Sequence, residues 1–229
     1  MTPILQTKKL FSTTLSYLAR SYWPTNSLLQ LKQQWAQEIL RQLDFEIEVS
    51  GAAPVNDTVL LVGNHISYLD IVVLMAIHPK VVFLSKKEVS RWPIIGAGAK
   101  RVGTLFVDRN SKSDRQKVRE QIGQLLREKR PHLAVFPSGT TTLDEAKPWK
   151  KGIFEIATDV QLPIQTFRIQ YSPLRTCAYI DNDNLLVHMM KLFMTRNKVV
   201  RFRWLKQYAP QSDIEFIEKV KNQTMVIES

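Results

Sequence analysis

Five short apolar runs, TVLLVG, VVFLS, TLFVD, HLAVF and LPIQTF, recur between residues 58 and 167, and they constrain the fold more than any other feature of the chain. Each has the length of a strand, and each is continuously apolar rather than alternating, as strands covered on both faces are. Helical patterns separate several of them, notably over residues 67 to 77 and 111 to 130. Strand alternating with helix predicts an α/β fold with a mostly parallel central sheet flanked by helices. Upstream, FEIEVSG alternates as a strand does, and DIEFIEKVKNQ predicts a last amphipathic helix. There is no internal repeat and no low-complexity tract.

Residues 4 to 42 read differently, as two helix-like stretches split by WPTNS. Pro24 breaks the first, and Thr25, Asn26 or Ser27 offers a cap to the second. Leu10, Phe11, Leu15, Leu18 and Trp23 are mixed with Lys8, Lys9 and Arg20 in the first stretch. Leu28, Leu31, Trp35, Ile39 and Leu43 form an apolar face in the second. The expected organisation is an amphipathic two-helix extension over residues 1–43 and one catalytic-sized domain over residues 44–229. Such an extension either lies on a membrane or packs on the domain behind it.

Charge narrows the partners. Lys and Arg outnumber Asp and Glu by 32 to 21, a net +11, which favours nucleic acid, an acidic carrier or a negatively charged lipid surface. No groove-reading motif supports nucleic acid. The single cysteine, Cys177, has no second cysteine and no metal-ligand spacing around it, so neither a disulfide nor a bound metal is expected. No apolar run approaches the roughly 18 residues of a spanning helix, and the N-terminus lacks the apolar core of a secretory signal. The expectation is a peripheral protein on the cytoplasmic face of a membrane. A second cationic apolar segment, MMKLFMTRNKVVRFRWLK, is a further membrane candidate, although VVRFRWL within it alternates as an amphipathic edge strand would.

The stretch LLVGNHISYLD, residues 60 to 70, places His65 and Asp70 five apart between apolar runs. On one helix, positions five apart point about 140° away from each other. The two meet only if His65 sits in the loop after a strand while Asp70 is already on the next helix. Gly63 and Asn64 suit that turn, with Ser67 as a cap. Asp70 would then accept one ring proton and leave the other nitrogen as a base toward a hydroxyl. Spacing by itself does not separate this from a buried His–Asp pair that only fixes the loop.

Three later stretches change the weighing. VGTLFVDR supplies Gly103, Phe106 and Arg109; VFPSGTTT supplies Phe136, Pro137, Ser138, Gly139, Thr140 and Thr141; LPIQTF supplies Leu162, Pro163 and Ile164. With NHISYLD, this ordered set resembles the glycerolipid acyltransferase family, typified by 1-acylglycerol-3-phosphate acyltransferase, over about residues 45 to 175. The resemblance implies that His65 deprotonates an acceptor hydroxyl, that Asp70 orients it, and that the hydroxyl attacks the thioester of acyl-CoA or an acyl-carrier protein without an acyl-enzyme. It further implies that Arg109 helps bind the acceptor's phosphate, and that the products enter phospholipid biosynthesis. The chain has no Gly-x-Ser-x-Gly elbow for a serine nucleophile.

The third motif departs from the family pattern. Where the family reads Phe-Pro-Glu-Gly-Thr-Arg, this chain holds Ser138 and Thr141 in the two charged positions. Lys147, Lys150 and Lys151 could restore the positive charge, with Lys100 and Arg101 as weaker candidates. Alternatively the acceptor is a lyso-phosphodiester or a lyso-aminolipid rather than 1-acylglycerol-3-phosphate. A different class remains, a non-catalytic lipid-binding protein that keeps the fold. The stretch SRWPIIGAGAKRVG is expected either to line an acyl channel or simply to pack.

Overall fold

The computed structural model describes residues 3–23, 27–55, 58–92, 95–108, 112–129, 131–180 and 182–225. Two helices, α1 (Pro3–Arg20) and α2 (Leu28–Gln42), lead into β1 (Phe45–Ser50) and β2 (Leu60–Gly63). Next come α3 (Leu69–Ile77), β3 (Val81–Lys86), a 3₁₀ turn (Lys87–Arg91), α4 (Ile95–Arg101), β4 (Leu105–Val107), α5 (Lys112–Lys129) and β5 (His132–Val135). The chain continues through α6 (Gly152–Asp159), β6 (Ile164–Ser172), α7 (Leu174–Cys177), α8 (Leu185–Met194), β7 (Lys198–Tyr208) and α9 (Ile214–Met225). Pro24, Thr25 and Asn26 lie outside the described residues, and the cap of α2 is Ser27, whose Oγ accepts from Gln30 N at 3.5 Å.

The seven strands form one sheet in the order β1-β7-β6-β2-β5-β3-β4. Strands β2 to β6 are mutually parallel, and β7 runs antiparallel to β6 while pairing parallel with β1. The continuous apolar runs are explained by this: all four residues of β2 are buried, Leu61 in the core of one sheet face and Leu60 and Val62 in that of the other. The VVRFRWL segment is a strand but not an edge. Val200, Phe202 and Trp204 are buried while Arg201 and Arg203 are exposed, because here the sheet is covered on one face only. A half-covered interior strand alternates just as an edge strand does.

Helix α2 packs on α3 and brings Ala36, Ile39, Leu40 and Leu43 into the core. Each large apolar side chain so buried stabilises by about 1.5–3 kcal/mol. Helix α1 lies on α2, where Trp35 Nε1 donates to Thr14 Oγ1 at 3.3 Å and Gln42 Nε2 donates to Thr13 Oγ1 at 2.8 Å. Leu10 is half-buried against the core, whereas Leu5, Phe11 and Leu15 stay exposed.

Candidate active site

Strand β2 stops at Gly63, opposite Phe167 of β6. A Cβ there would sit 2.4 Å from the Phe167 ring and 2.6 Å from its carbonyl oxygen, so the position has room only for glycine. Beyond it a side chain replaces the main chain in the ladder. Asn64 Nδ2 donates to Ile169 O at 2.7 Å, and Ile169 N donates to Asn64 Oδ1 at 2.8 Å. The backbone is thereby free to turn, and His65 leaves at the carboxyl end of the strand, where open α/β sheets bind ligands. The loop is fastened by Thr142 N donating to His65 O at 2.8 Å and by Tyr179 N donating to Ile66 O at 3.0 Å.

Asp70 waits in the first turn of α3, fully buried. Its Oδ2 meets His65 Nδ1 at 2.8 Å and accepts from Ile66 N at 2.8 Å and Ser67 N at 3.0 Å. Its Oδ1 accepts from the Tyr171 hydroxyl at 2.6 Å. Four donors converge on one carboxyl group, which offsets the loss of water around it and suits an ionised acceptor. With two backbone N–H groups already on Oδ2, His65 takes the tautomer that donates from Nδ1, leaving Nε2 as the basic nitrogen. The imidazole also stacks on Phe136, centroids 3.9 Å apart and planes within 9°. Burial beside Asp70 raises the Tyr171 pKa well above the ordinary tyrosine value, so its hydroxyl stays a donor.

A cavity of about 240 Å³ opens beside this pair, lined by His65, Asn64, Ser138, Lys147 and the β6 residues Arg168 to Tyr171 among others. Of the residues expected at the site, His65, Ser138 and Lys147 line it. Gly139 takes a positive φ of 76° and gives the loop its turn, and Ser138 Oγ donates to Thr140 O at 2.8 Å, so Ser138 shapes the loop that Gly139, Thr140 and Thr141 complete. Thr140, Thr141 and Lys150 belong to that loop segment but are not among the cavity's lining residues. Lys151 is paired with Glu155 at 3.1 Å. Gly103 and Lys100 sit at the β4 edge of the sheet, three strands from β2, and do not line the cavity. Arg101 is engaged elsewhere: its guanidinium donates to the carbonyl oxygen of Ser21 and lies 4.8 Å from the Tyr22 ring. Arg109 lies outside the described residues.

Two residues at the centre of this arrangement went unnoticed in the sequence. Tyr171 leaves no local signal. Arg168 leaves one, a charged residue in the middle of strand β6; it is only 7% exposed. A second polar pair joins the start of α3 to α8, where the hydroxyl of half-buried Tyr68 and His188 Nδ1 share a hydrogen bond of 3.0 Å. Burial pushes the Cys177 thiol up to about 11, far from a reactive thiolate. Among the described residues no three His, Cys, Asp or Glu side chains converge as metal ligands would.

Fold and site together define an α/β protein that holds an oriented imidazole at the carboxyl edge of a parallel sheet, open to a cavity. The family profile described as "Acyltransferase" matches residues 46–170. The chain is 33% identical over 187 residues to a lyso-ornithine lipid O-acyltransferase of Pseudomonas aeruginosa, covering 80% of this chain and 71% of that protein. It is 30% identical over 135 residues to a 1-acyl-sn-glycerol-3-phosphate acyltransferase of Neisseria meningitidis, covering 58% of this chain and 52% of the relative, so about half of that protein's length is spanned. The 1-acyl-sn-glycerophosphate acyltransferase PlsC of Thermotoga maritima shares the fold, with a TM-score of 0.68 over 96% of this chain and 91% of that one, at 16% identity. The chain belongs to the acyltransferase family, among the lysolipid O-acyltransferases. The family expected from the four ordered motifs is therefore the one found.

Proposed function

We propose that this protein transfers an acyl group from a thioester, acyl-CoA or an acyl-carrier protein, to the hydroxyl of a lysolipid, with His65 as general base. The observation that carries the reading is the four-donor cradle around Asp70, which fixes the His65 tautomer and leaves Nε2 as the basic nitrogen of a residue that lines the cavity. His65 Nε2 takes the proton of the acceptor hydroxyl as its oxygen forms a bond to the thioester carbonyl carbon. The tetrahedral intermediate then collapses, the C–S bond breaks, and the imidazolium returns the proton to the departing thiolate. A positioned base of this kind contributes on the order of 10²–10⁴-fold.

The relatives' names bring two acceptor classes to this chain, lyso-ornithine lipid and 1-acyl-sn-glycerol-3-phosphate. Lys147 in the cavity supports an anionic group on either. The helices α1 and α8 touch, and between them expose Leu5, Phe11, Leu15, Leu186, Val187, Met190 and Met194. Exposed Lys8, Lys9, Arg20 and Lys191 accompany them, a combination suited to a peripheral contact with an anionic bilayer at the membrane's cytoplasmic face. No helix of the described residues is long and apolar enough to cross a membrane.

The test is acyl transfer from labelled acyl-CoA and acyl-carrier protein to a panel of lysolipids, beside His65→Ala. Transfer that disappears in the variant, with melting temperature preserved, is the expected result. Undiminished transfer removes His65 from the mechanism.

A further inference from the structure

The cavity beside His65 is electrically mixed rather than cationic. Its charged lining is Asp144, Glu145, Lys147 and Arg168, two groups of each sign. Arg168 is held rigidly: Nη1 donates to the carbonyl oxygens of Thr224 and Met225 at the end of α9, and Nη2 donates to Glu145 Oε1 at 2.7 Å. Glu145 is thus anchored by one oxygen while its side chain stays 56% exposed. Among the described residues, Glu145 Oε2 and Lys147 Nζ have no hydrogen-bond or ion-pair partner. Asp144 uses Oδ1 to accept from Ala146 N at 2.9 Å, which leaves its other oxygen for a ligand.

A phosphate monoester carries a charge of about −1.5 to −2 near neutral pH. Placed here, it meets two cations and two carboxylates, with no net positive charge to offset its own. Even after Arg168 and Glu145 have neutralised each other, Asp144 and Lys147 remain, again one of each sign. The two charged positions that would have supplied a family anion fork are Ser138 and Thr141, and Ser138 Oγ is spent on Thr140 O. Nothing described in the cavity offsets a double negative charge, whereas a head group bearing one ammonium and one anion finds a partner for each.

We infer that the acceptor of this enzyme is a zwitterionic lysolipid, with Glu145 and Asp144 receiving its ammonium and Lys147 its anionic group. This rests on the cavity being the acceptor site of the proposed acyl transfer. Arg168 is a positioning residue: it fixes the Glu145 carboxylate at the cavity wall. Two head-group types share the chemistry, an amino acid with a free carboxylate and an amine-bearing phosphodiester.

The experiment measures kcat/KM for the full chain with acyl-CoA and with acyl-carrier protein against three acceptors: lyso-ornithine lipid, lysophosphatidylethanolamine and 1-acylglycerol-3-phosphate. Glu145→Gln and Asp144→Asn keep the hydrogen bonds that hold the loop and remove only charge. The native protein should favour a zwitterionic acceptor over the monoester, and each carboxylate variant should erode that ratio about fivefold, the scale of one partly exposed ion pair. A preference for lyso-ornithine lipid assigns Lys147 a carboxylate, and one for lysophosphatidylethanolamine assigns it a phosphodiester; both support the inference. A preference for 1-acylglycerol-3-phosphate, or a ratio unmoved in both variants, overturns it while leaving acyl transfer intact. His65-dependent transfer to none of the three removes the proposed function along with it.

Discussion

Replacing Tyr171 by phenylalanine isolates one hydrogen bond in the cradle of Asp70. The ring, in edge contact with Phe45 at 6.0 Å, keeps its shape, and only the hydroxyl is lost. All three remaining donors then fall on Oδ2, and Oδ1 is left bare in a residue with no solvent exposure. A hydrogen bond to a charged buried group contributes about 1.5–3 kcal/mol. For a domain of this size each kcal/mol moves the melting temperature by about 2–4 °C, so Tyr171→Phe should melt roughly 3–12 °C lower. Turnover should fall by about tenfold, because a carboxylate held by one oxygen aims the imidazole less tightly. In an Asp70→Asn background the bond is neutral, and the same substitution should cost only about 0.5–1.5 kcal/mol. Calorimetry on the four proteins of this cycle, with kcat for the native protein and Tyr171→Phe, makes the measurement. Equal cost in both backgrounds, or native melting and turnover in Tyr171→Phe, would refute the reasoning.

Two further outcomes follow from burial. His78 and His188 both have pKa values lowered mainly by burial, so below about pH 6.5 the unfolded chain binds protons that the folded one refuses, and stability falls as pH falls. The unfolding free energy from urea titration should therefore drop between pH 7.5 and 5.5, by at most about 1.4 kcal/mol per pH unit for each histidine, and His78→Gln should flatten the slope; a pH-independent stability contradicts it. On the outer face, Met190→Glu with Met194→Glu should weaken cosedimentation with anionic vesicles while leaving the melting temperature unchanged, since both side chains are exposed; full binding would move the membrane contact away from α8.

The parts of the site that were legible from sequence share a property: they are local. His65 and Asp70 meet across a single strand–helix turn, so their spacing and the Gly63–Asn64 turn residues carried the geometry. A cap for α2 among Thr25, Asn26 and Ser27, a helical pattern over residues 111 to 130 and the buried strands are readable for the same reason. Lys147 was found as a cation near the third motif, but sequence could not separate it from Lys151, which the structure pairs with Glu155 one helical turn away. The engagement of Arg101 is out of reach of local reading because its partner, Ser21, lies 80 residues upstream.

Sequence by itself determined the alternation of strand and helix, the parallel sheet and the loop that delivers the histidine, because hydrophobic period and turn chemistry act within a few residues. Only the tertiary structure decided what surrounds the histidine. Tyr171 reaches Asp70 from 101 residues away, and Asn64 bonds Ile169 across 105. Arg168 reaches Glu145 and the end of α9, and β7 slips between β1 and β6. Such contacts follow from which strands the sheet sets side by side, and a side chain whose partner is a hundred residues away leaves no period in its own neighbourhood by which to recognise it.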